Sequence, residues 1–302
     1  MSIHEFLTDF TQDIPETAGR EVHAIGVHIG WLNWGSVGDE SLEKLIEHCD
    51  AEKIAEFVRP GDFYDFVTYR ERSFTYIDNK GIRRTEYPNS RVYYARSYDS
   101  EHDLLFLSLL EPNHFSEIFI DRVVNLLKKL NISRYVVAGA MGSPVPHTRP
   151  IRVTGRSSDS DISAKLETLG VQQTLGQQYQ GPTSIFNTIS QKLTDEGITT
   201  VNLMAHMPSH ISLQEPDFTG VHRMLTILSK LEGINIPLEK TRIAGKKQYD
   251  RVSKEVRQSS SLTELSKQLE EIYDQEEGHP EEDTVELPPS IQQAIDEAFG
   301  KE

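Results

Sequence analysis

Apolar residues along the chain fall into two recurrent patterns, and the alternation between them sets the expected architecture. Short runs rich in Val, Ile, Leu and aromatic residues, bounded by turn residues, occur at 21–29 (EVHAIGVHI), 53–58 (KIAEFV), 102–110 (HDLLFLSLL), 134–140 (RYVVAGA) and 199–207 (TTVNLMAHM). Runs of this length and composition predict buried strands. Elsewhere the apolar residues return every three or four positions. In 114–132, Ile118, Val123 or Val124, Leu127 and Leu130 share one stripe, and Lys128 and Lys129 suit a helix carboxyl end. The segment 184–198 repeats the pattern with Ile185, Ile189 and Leu193 before Gly197, and 220–234 repeats it with Val221, Leu225 and Leu228 before Gly233. A glycine just past the last periodic residue is a helix stop. Strands alternating with helices predict an α/β domain with a parallel sheet covered on both faces.

Two regions depart from that alternation. Residues 72–88 place Asn79-Lys80-Gly81 between two alternating runs, which predicts a β-hairpin at a sheet edge and hence a mixed sheet. Beyond residue 237 the apolar stripe thins to Tyr249, Val252 and Val256, and then Leu262, Leu265, Leu269 and Ile272 recur at a,d spacing. Ser261 and Glu264, in capping-box spacing after a three-serine break, complete the pattern of a helical hairpin. So thin a stripe must lean on the core, on another hairpin or on a partner. An acidic linker follows, and then Ile291, Ala294, Ile295, Ala298 and Phe299 fall on one helical face. The expected organisation is an α/β core over 1–237, a helical hairpin over 238–277, and a linker with a short amphipathic helix over 278–302. That last helix has the form of a docking element, or folds back on its own core.

Composition narrows the function classes. Across 302 residues the formal charge is −16, which disfavours nucleic acid and anionic membrane as ligands. Residues 271–302 hold eleven Asp or Glu against one Lys, so the acidity is mainly a property of the tail. Apolar runs fall short of the ~20 residues a membrane helix needs, and the amino terminus lacks a secretory pattern, so a cytoplasmic location is expected. The lone Cys49 excludes an internal disulfide and reads as a small residue on a helix.

In sheets of the predicted kind, ligands gather beyond the carboxyl ends of the strands. The loops there are distinctive: 139–150 reads GAMGSPVPHTRP, with three prolines that fix the backbone and an imidazole and a guanidinium side by side. Candidate pocket residues are Glu111 in LEPNH, His147, Thr148 and Arg149, Tyr179 and Thr183 around the Gly181-Pro182 turn, and His206 and His210 in AHMPSH. A cluster of Asp62, Asp65, Tyr69 and Arg70 is a further, ambiguous one. The chain has no G-x-x-x-x-G-K-[ST], G-x-S-x-G or H-E-x-x-H motif. His206 and His210 stand four apart, but Pro208 and the preceding strand break the geometry that a helical metal site requires, so neither metal nor cofactor is expected. The polar residues admit two readings. Arg149 could clamp an anion with His147 as acid/base and Glu111 as its orienter, or the three could tie neighbouring loops by charge-assisted hydrogen bonds.

These same segments carry a resemblance. RPGDFYDFVTYRERS, the run from LLFLSLLEPNHF to PHTRPIRVTG, YQGPTSIFNTI and LMAHMPSHI, in that order, resemble the proteasome assembly chaperone family of the second subunit type, from about residue 25 to 238. The resemblance implies a three-layer α/β/α sandwich similar to the phosphorylase/hydrolase-like folds, and assembly into small homo-oligomers such as a trimer or other small ring. For eukaryotic and archaeal relatives it implies a role in proteasome assembly. Archaeal relatives resemble one another in a carboxyl-terminal hydrophobic-Tyr-any motif, whereas this sequence ends Phe299-Gly300-Lys301-Glu302 and departs from it. The favoured expectation is a non-enzymatic scaffold or assembly-chaperone-like protein whose core self-associates, whose hairpin projects and whose tail engages a protein partner through Ile291, Ile295 and Phe299. The alternative is a small-ligand-binding protein or enzyme using the strand-end pocket.

Overall fold

The computed structural model describes residues 9–11, 19–29, 32–97, 101–173, 183–211, 213 and 216–278. Besides short 3-10 turns, the elements in chain order are β1 (Glu21–Ile29), α1 (Val37–His48), β2 (Glu52–Glu56), β3 (Phe74–Ile77), β4 (Arg83–Glu86), β5 (Arg91–Ala95), β6 (His102–Leu110), α2 (Ser116–Lys129), β7 (Ile132–Ser143), β8 (Val153–Ser157), α3 (Ser160–Thr168), β9 (Gln172–Gln173), α4 (Ile185–Asp195), β10 (Thr199–Pro208), α5 (Phe218–Glu232), α6 (Glu239–Val256) and α7 (Ser260–Gly278).

Eight strands form one sheet in the order β2-β5-β6-β1-β7-β10-β8-β9. The four central strands β6, β1, β7 and β10 run parallel. Their apolar runs leave no polar face: Ala24, Ile25 and Val27 of β1, Leu105 to Leu107 of β6 and Val136 and Ala138 of β7 are all buried. Such strands need helices on both sides, and β10 shows that they have them. Asn202 bonds Ser190 of α4 at 3.4 Å, whereas Met207, five residues on and therefore on the other face, packs against α5. A Cβ on Gly220 of α5 would lie 2.5 Å from Met207 Cε and 2.7 Å from Val37 Cγ2 of α1, so glycine there sets how closely α5 lies on sheet and helix. The result is the expected α/β/α sandwich with a mixed sheet.

The mixing arises differently from the expectation. The hairpin β3–β4 is not an edge of this sheet but a separate two-stranded unit. Its strands are exposed throughout, Phe74, Tyr76 and Ile77 of β3 as well as the Arg, Thr and Glu of β4, so neither face is buried as a sheet edge would require. A stack of Phe66 on Tyr87, 4.5 Å between centroids, holds its base. The antiparallel pairs are instead β5 with β6, β2 with β5, and β8 with β10.

Strand β7 also runs on to Ser143, beyond the expected end at Ala140, because β10 pairs with it as far as Pro208 opposite Ser143. Its small residues make room for a neighbour. A Cβ on Gly139 would stand 3.0 Å from the Leu32 carbonyl, and one on Gly142 2.8 Å from the Trp34 ring. The first five residues of the GAMGSPVPHTRP segment are therefore strand.

The helical hairpin forms, but it folds back on the core where projection was expected. Helix α6 crosses the start of α5 so closely that a Cβ on Gly245 would meet Thr219 N at 2.7 Å. Tyr249 joins the main core and donates to Asp217 at 2.8 Å, while the Gln248 amide accepts from Phe218 N and donates to the Pro216 carbonyl. At the start of α7 it is Ser259, two residues before Ser261, whose hydroxyl accepts from a helix N–H, that of Leu262 at 3.4 Å. Ile291, Ile295 and Phe299 lie outside the described residues. Among the described residues no helix is long and apolar enough to cross a membrane.

Candidate functional site

The parallel pairing of β7 with β10 brings together the loops that follow them. His147 and His210 meet there, Nδ1 to Nε2 at 2.9 Å, with rings 5.2 Å apart and tilted by 50°. Both are buried, 4% and 3% exposed. One proton must lie between the two nitrogens, so each ring is the neutral tautomer the other dictates. The outer nitrogens, His147 Nε2 and His210 Nδ1, have no hydrogen-bond partner among the described residues. Burial, with His147 adding to it, pushes His210 down to about 4. Burial also lowers His147, against the opposing pull of Glu270. The pair is therefore uncharged near neutral pH, and among the described residues no third metal-ligand side chain joins it.

The rest of the loop is clamped by α7. Arg149 makes a two-pronged bond to Asp274, Nε to Oδ1 at 2.8 Å and Nη2 to Oδ2 at 2.7 Å, and stands 3.8 Å from Glu270. The Thr148 hydroxyl donates to Glu270, the Tyr273 hydroxyl donates to the Pro150 carbonyl at 3.0 Å, and the Arg152 guanidinium lies 4.5 Å over the Tyr273 ring. The bond from Arg149 holds the Asp274 carboxyl below its ordinary value. Planar two-pronged pairing of this kind is what Arg does best, and here an acidic side chain of the same chain receives it.

The other expected site residues are engaged elsewhere. Both ring nitrogens of His206 are bound, to the Ser143 and Thr154 hydroxyls at 3.0 Å each, so His206 and His210 do not act together. Glu111 accepts the Tyr69 hydroxyl on its carbonyl at 2.6 Å, whereas His147 turns to His210; the orienting role expected of Glu111 has no geometry behind it. Thr183 accepts from Asn187 at 3.2 Å, and the first turn of α4 is capped by Ser184. Asp65 is spent on its own turn, accepting from Val67 N. Tyr179 lies outside the described residues.

Sequence reasoning missed a second cluster, at the opposite ends of the strands. His23 of β1 bonds Glu232 at the end of α5, Nδ1 to Oε2 at 2.6 Å. Arg134 of β7 reaches both carboxylate oxygens at 3.3 Å, and His102 of β6 stands 3.5 Å from Oε2. Burial pushes the Glu232 carboxyl up, yet His23, Arg134 and His102 together hold it below the ordinary value. Polar residues inside or beginning apolar runs, His23, His102 and Arg134, were the available signal.

His23, His102 and Glu232 bring ligand-type atoms within 4.8 Å of one another. The Arg134 guanidinium already supplies the positive charge, and the two imidazoles lie face to face, 3.8 Å apart at 22°, so their lone pairs do not converge on one point. The cluster is a poor cation site. Beside it opens a cleft of about 320 Å³ lined by His48, Cys49, Arg96, Ser97, Glu232 and Asn235. Another, of about 380 Å³, lies along α2 beside Arg122, Lys128 and Lys129. Neither is lined by His147, Arg149 or Glu111.

The fold has solved relatives. It is similar to a PAC2 family protein from Streptomyces avermitilis, with a TM-score of 0.70 and 24% identity over 81% of this chain and 99% of that one. It is similar to a Mycobacterium tuberculosis proteasome-assembly chaperone homologue, at 0.68 and 23% over 81% and 99%. The archaeal proteasome activator PbaB of Pyrococcus furiosus matches at 0.61 and 16% over 82% and 98%. Among curated proteins none matches the sequence. The profile of the PAC2 family matches residues 28–256.

Proposed function

This chain belongs to the PAC2 family, and from that premise we propose that it is a chaperone-like assembly factor that acts by protein contact and self-association and catalyses no reaction of its own. One observation carries the reading: the groups that would have made a strand-end active site are engaged with one another or with α7. Arg149, the expected anion clamp, is bound by Asp274, and the expected acid/base His147 is buried against His210. The mycobacterial and archaeal relatives, a proteasome-assembly chaperone homologue and a proteasome activator, support the same direction. In this reading the core forms a small ring in the cytoplasm, and Ile291, Ile295 and Phe299 engage a protein client.

The test is affinity capture by the full-length chain from its own cell lysate, beside a chain ending at Glu277, with the solution mass of each measured by light scattering. A specific protein captured by the first and lost by the second is the expected result. If both chains are monomeric and return alone, the assembly reading is overturned, and small-ligand binding at the strand ends takes its place.

A further inference from the structure

We propose that α7 is exchanged between copies of this chain, so that the surface formed by Thr148, Arg149, Pro150 and Arg152 receives α7 of a second copy, delivered when α6 and α7 straighten into one helix through residues 257–259. The proposal rests on the self-association read above and adds the element that performs it.

The first support is that one face of α7 carries the whole recognition pattern. Glu270, Tyr273 and Asp274 stand at positions i, i+3 and i+4 and so share a helix face. They supply the acceptors for Thr148 and Arg149, the donor to Pro150 and the ring under Arg152. Any copy of α7 presents the same set in the same geometry, and the site cannot distinguish its own from another's.

The second support is the turn. Helix α5 ends at Gly233 with φ of 69°, a conformation that commits the chain to leave the helix. Nothing comparable separates α6 from α7. The sequence there, Val256-Arg257-Gln258-Ser259-Ser260, has neither Gly nor Pro. Arg257 is in the right-handed helical region, φ −63° and ψ −17°, and none of residues 256–260 has a positive φ. The backbone bonds Arg257 N to Ser253 O, Gln258 N to Glu255 O and Ser259 N to Val256 O carry helical spacing as far as Ser259, where the ladder breaks for one turn and α7 restarts with Thr263 N to Ser259 O under the Ser259 cap. Continuing α6 into α7 would make a helix from Glu239 to Gly278 about 60 Å long at the usual rise.

The third support is the unequal anchoring of the two helices. Tyr249 of α6 belongs to the main core, and Gly245 and Gln248 lock that helix to α5. In α7, Leu265, Leu269 and Tyr273 are buried, but Leu265 and Leu269 with Ile272 form a small apolar cluster separate from the main core, and the Arg149–Asp274 pair is half exposed, at 32% and 52% for the side chains. Exposed ion pairs contribute little to stability, and elements packed outside the main core open locally ahead of the rest. A helix α7 that lifts from its own loop re-forms the same bonds on the neighbour's, so exchange costs only the straightened turn and the act of association.

Full-length chains decide the matter by cross-linking. In a Cys49→Ser background, a tagged Thr148→Cys chain is co-expressed with a Glu270→Cys chain of different mass, and a short bis-maleimide is added; Thr148 is exposed and Glu270 partly so, and the Arg149–Asp274 and Tyr273–Pro150 bonds stay in place in both chains. A covalent pair containing one chain of each kind is the expected product, because within one chain only one of the two cysteines exists. The double variant Thr148→Cys, Glu270→Cys is the control that reports any contact, within or between chains. A control that cross-links only within single chains, while the mixed pair yields nothing, overturns the exchange. Light scattering separates the two ways to fail: oligomers with purely internal cross-links remove the exchange and leave self-association standing, and monomers remove both. As an independent variant, Ser259→Ala favours helix through the exposed turn and should raise the mixed cross-link roughly twofold; a fall would count against the straightened turn.

Discussion

At the amino ends of the central strands His23 and His102 stack beside a buried carboxylate and a guanidinium; at the carboxyl ends His147 and His210 bond to each other. Both pairs are largely withdrawn from water, so burial cannot be what distinguishes them. The partner does. Glu232 keeps its charge because the hydrogen bond at His23 and the Arg134 guanidinium outweigh its burial, and the amino end behaves as a compensated ion cluster. At the carboxyl end no carboxylate bonds either ring among the described residues, so desolvation wins and both rings stay neutral. The strand ends where an α/β sheet usually places a ligand hold a mechanical joint, a loop gripped by α7, and the buried carboxylate sits at the other end.

The contrast breaks most visibly if the charge of Glu232 is removed. Glu232→Gln keeps the shape but leaves Arg134 uncompensated beside a buried histidine pair, and should cost about 3–5 kcal/mol in a urea unfolding experiment. A loss below about 1 kcal/mol would mean that solvent already screens the cluster. At the carboxyl end the corresponding experiment is pH. His210 has a folded pKa of about 4 against an ordinary 6.5, so the unfolded chain takes the proton first. Stability is therefore complete above about pH 6.5 and declines as the pH falls from there toward 4, by roughly 3 kcal/mol in all. His147 is shifted in the same direction, with Glu270 opposing and Arg257 assisting. His102 at the amino end also lies low, through burial and His23, so the difference between the wild type and His210→Gln isolates the carboxyl end. Parallel pH curves for the two proteins would overturn the neutral-pair description.

How much of this could be read from the sequence depends on distance along the chain. Strands β1, β6, β7 and β10 were legible because their apolar residues are dense and largely buried, with only single polar residues such as His23, Arg134 and Asn202 among them. Arg149 was legible as a residue with work to do, since a guanidinium in a proline-fixed loop needs a partner. Its partner, Asp274, lies 125 residues away in a segment that reads only as acidic helix, and pattern alone cannot pair the two. His23 and Glu232, 209 residues apart, are further out of reach. The hairpin β3–β4 shows the converse limit. Its turn chemistry is local and therefore readable, whereas its separation from the main sheet follows from having no buried face, which only the assembled sheet reveals.

A smaller effect separates a structural joint from a ligand clamp. Arg149→Ala removes the two-pronged bond to Asp274 but leaves Leu269 and Tyr273 packed, and because the pair is half exposed the global loss of stability should be small. The local signature is larger: amide hydrogen exchange over residues 260–278 should accelerate while that of β7 and β10 stays unchanged. Uniform acceleration across the sheet would place Arg149 in the core's stability and not in the fastening of α7.

The smallest effect belongs to Cys49, which lines the cleft beside the amino-end cluster. Burial pushes its thiol up to about 11 from an ordinary 9. The thiolate is the reactive form, so at pH 8 a shift of that size lowers its population about a hundredfold, and alkylation in the folded protein should slow by the same factor relative to the urea-unfolded chain. Cys49→Ser should leave stability within roughly 1 kcal/mol. Rapid alkylation of the native protein would show that the cleft opens to water, and the Glu232 cluster behind it would then be solvated as well, which would weaken the large loss expected for Glu232→Gln by the same cause. The least perturbing measurement thus bears directly on the most perturbing one, because the burial of Glu232 at the wall of the cleft is what makes its charge costly to disturb.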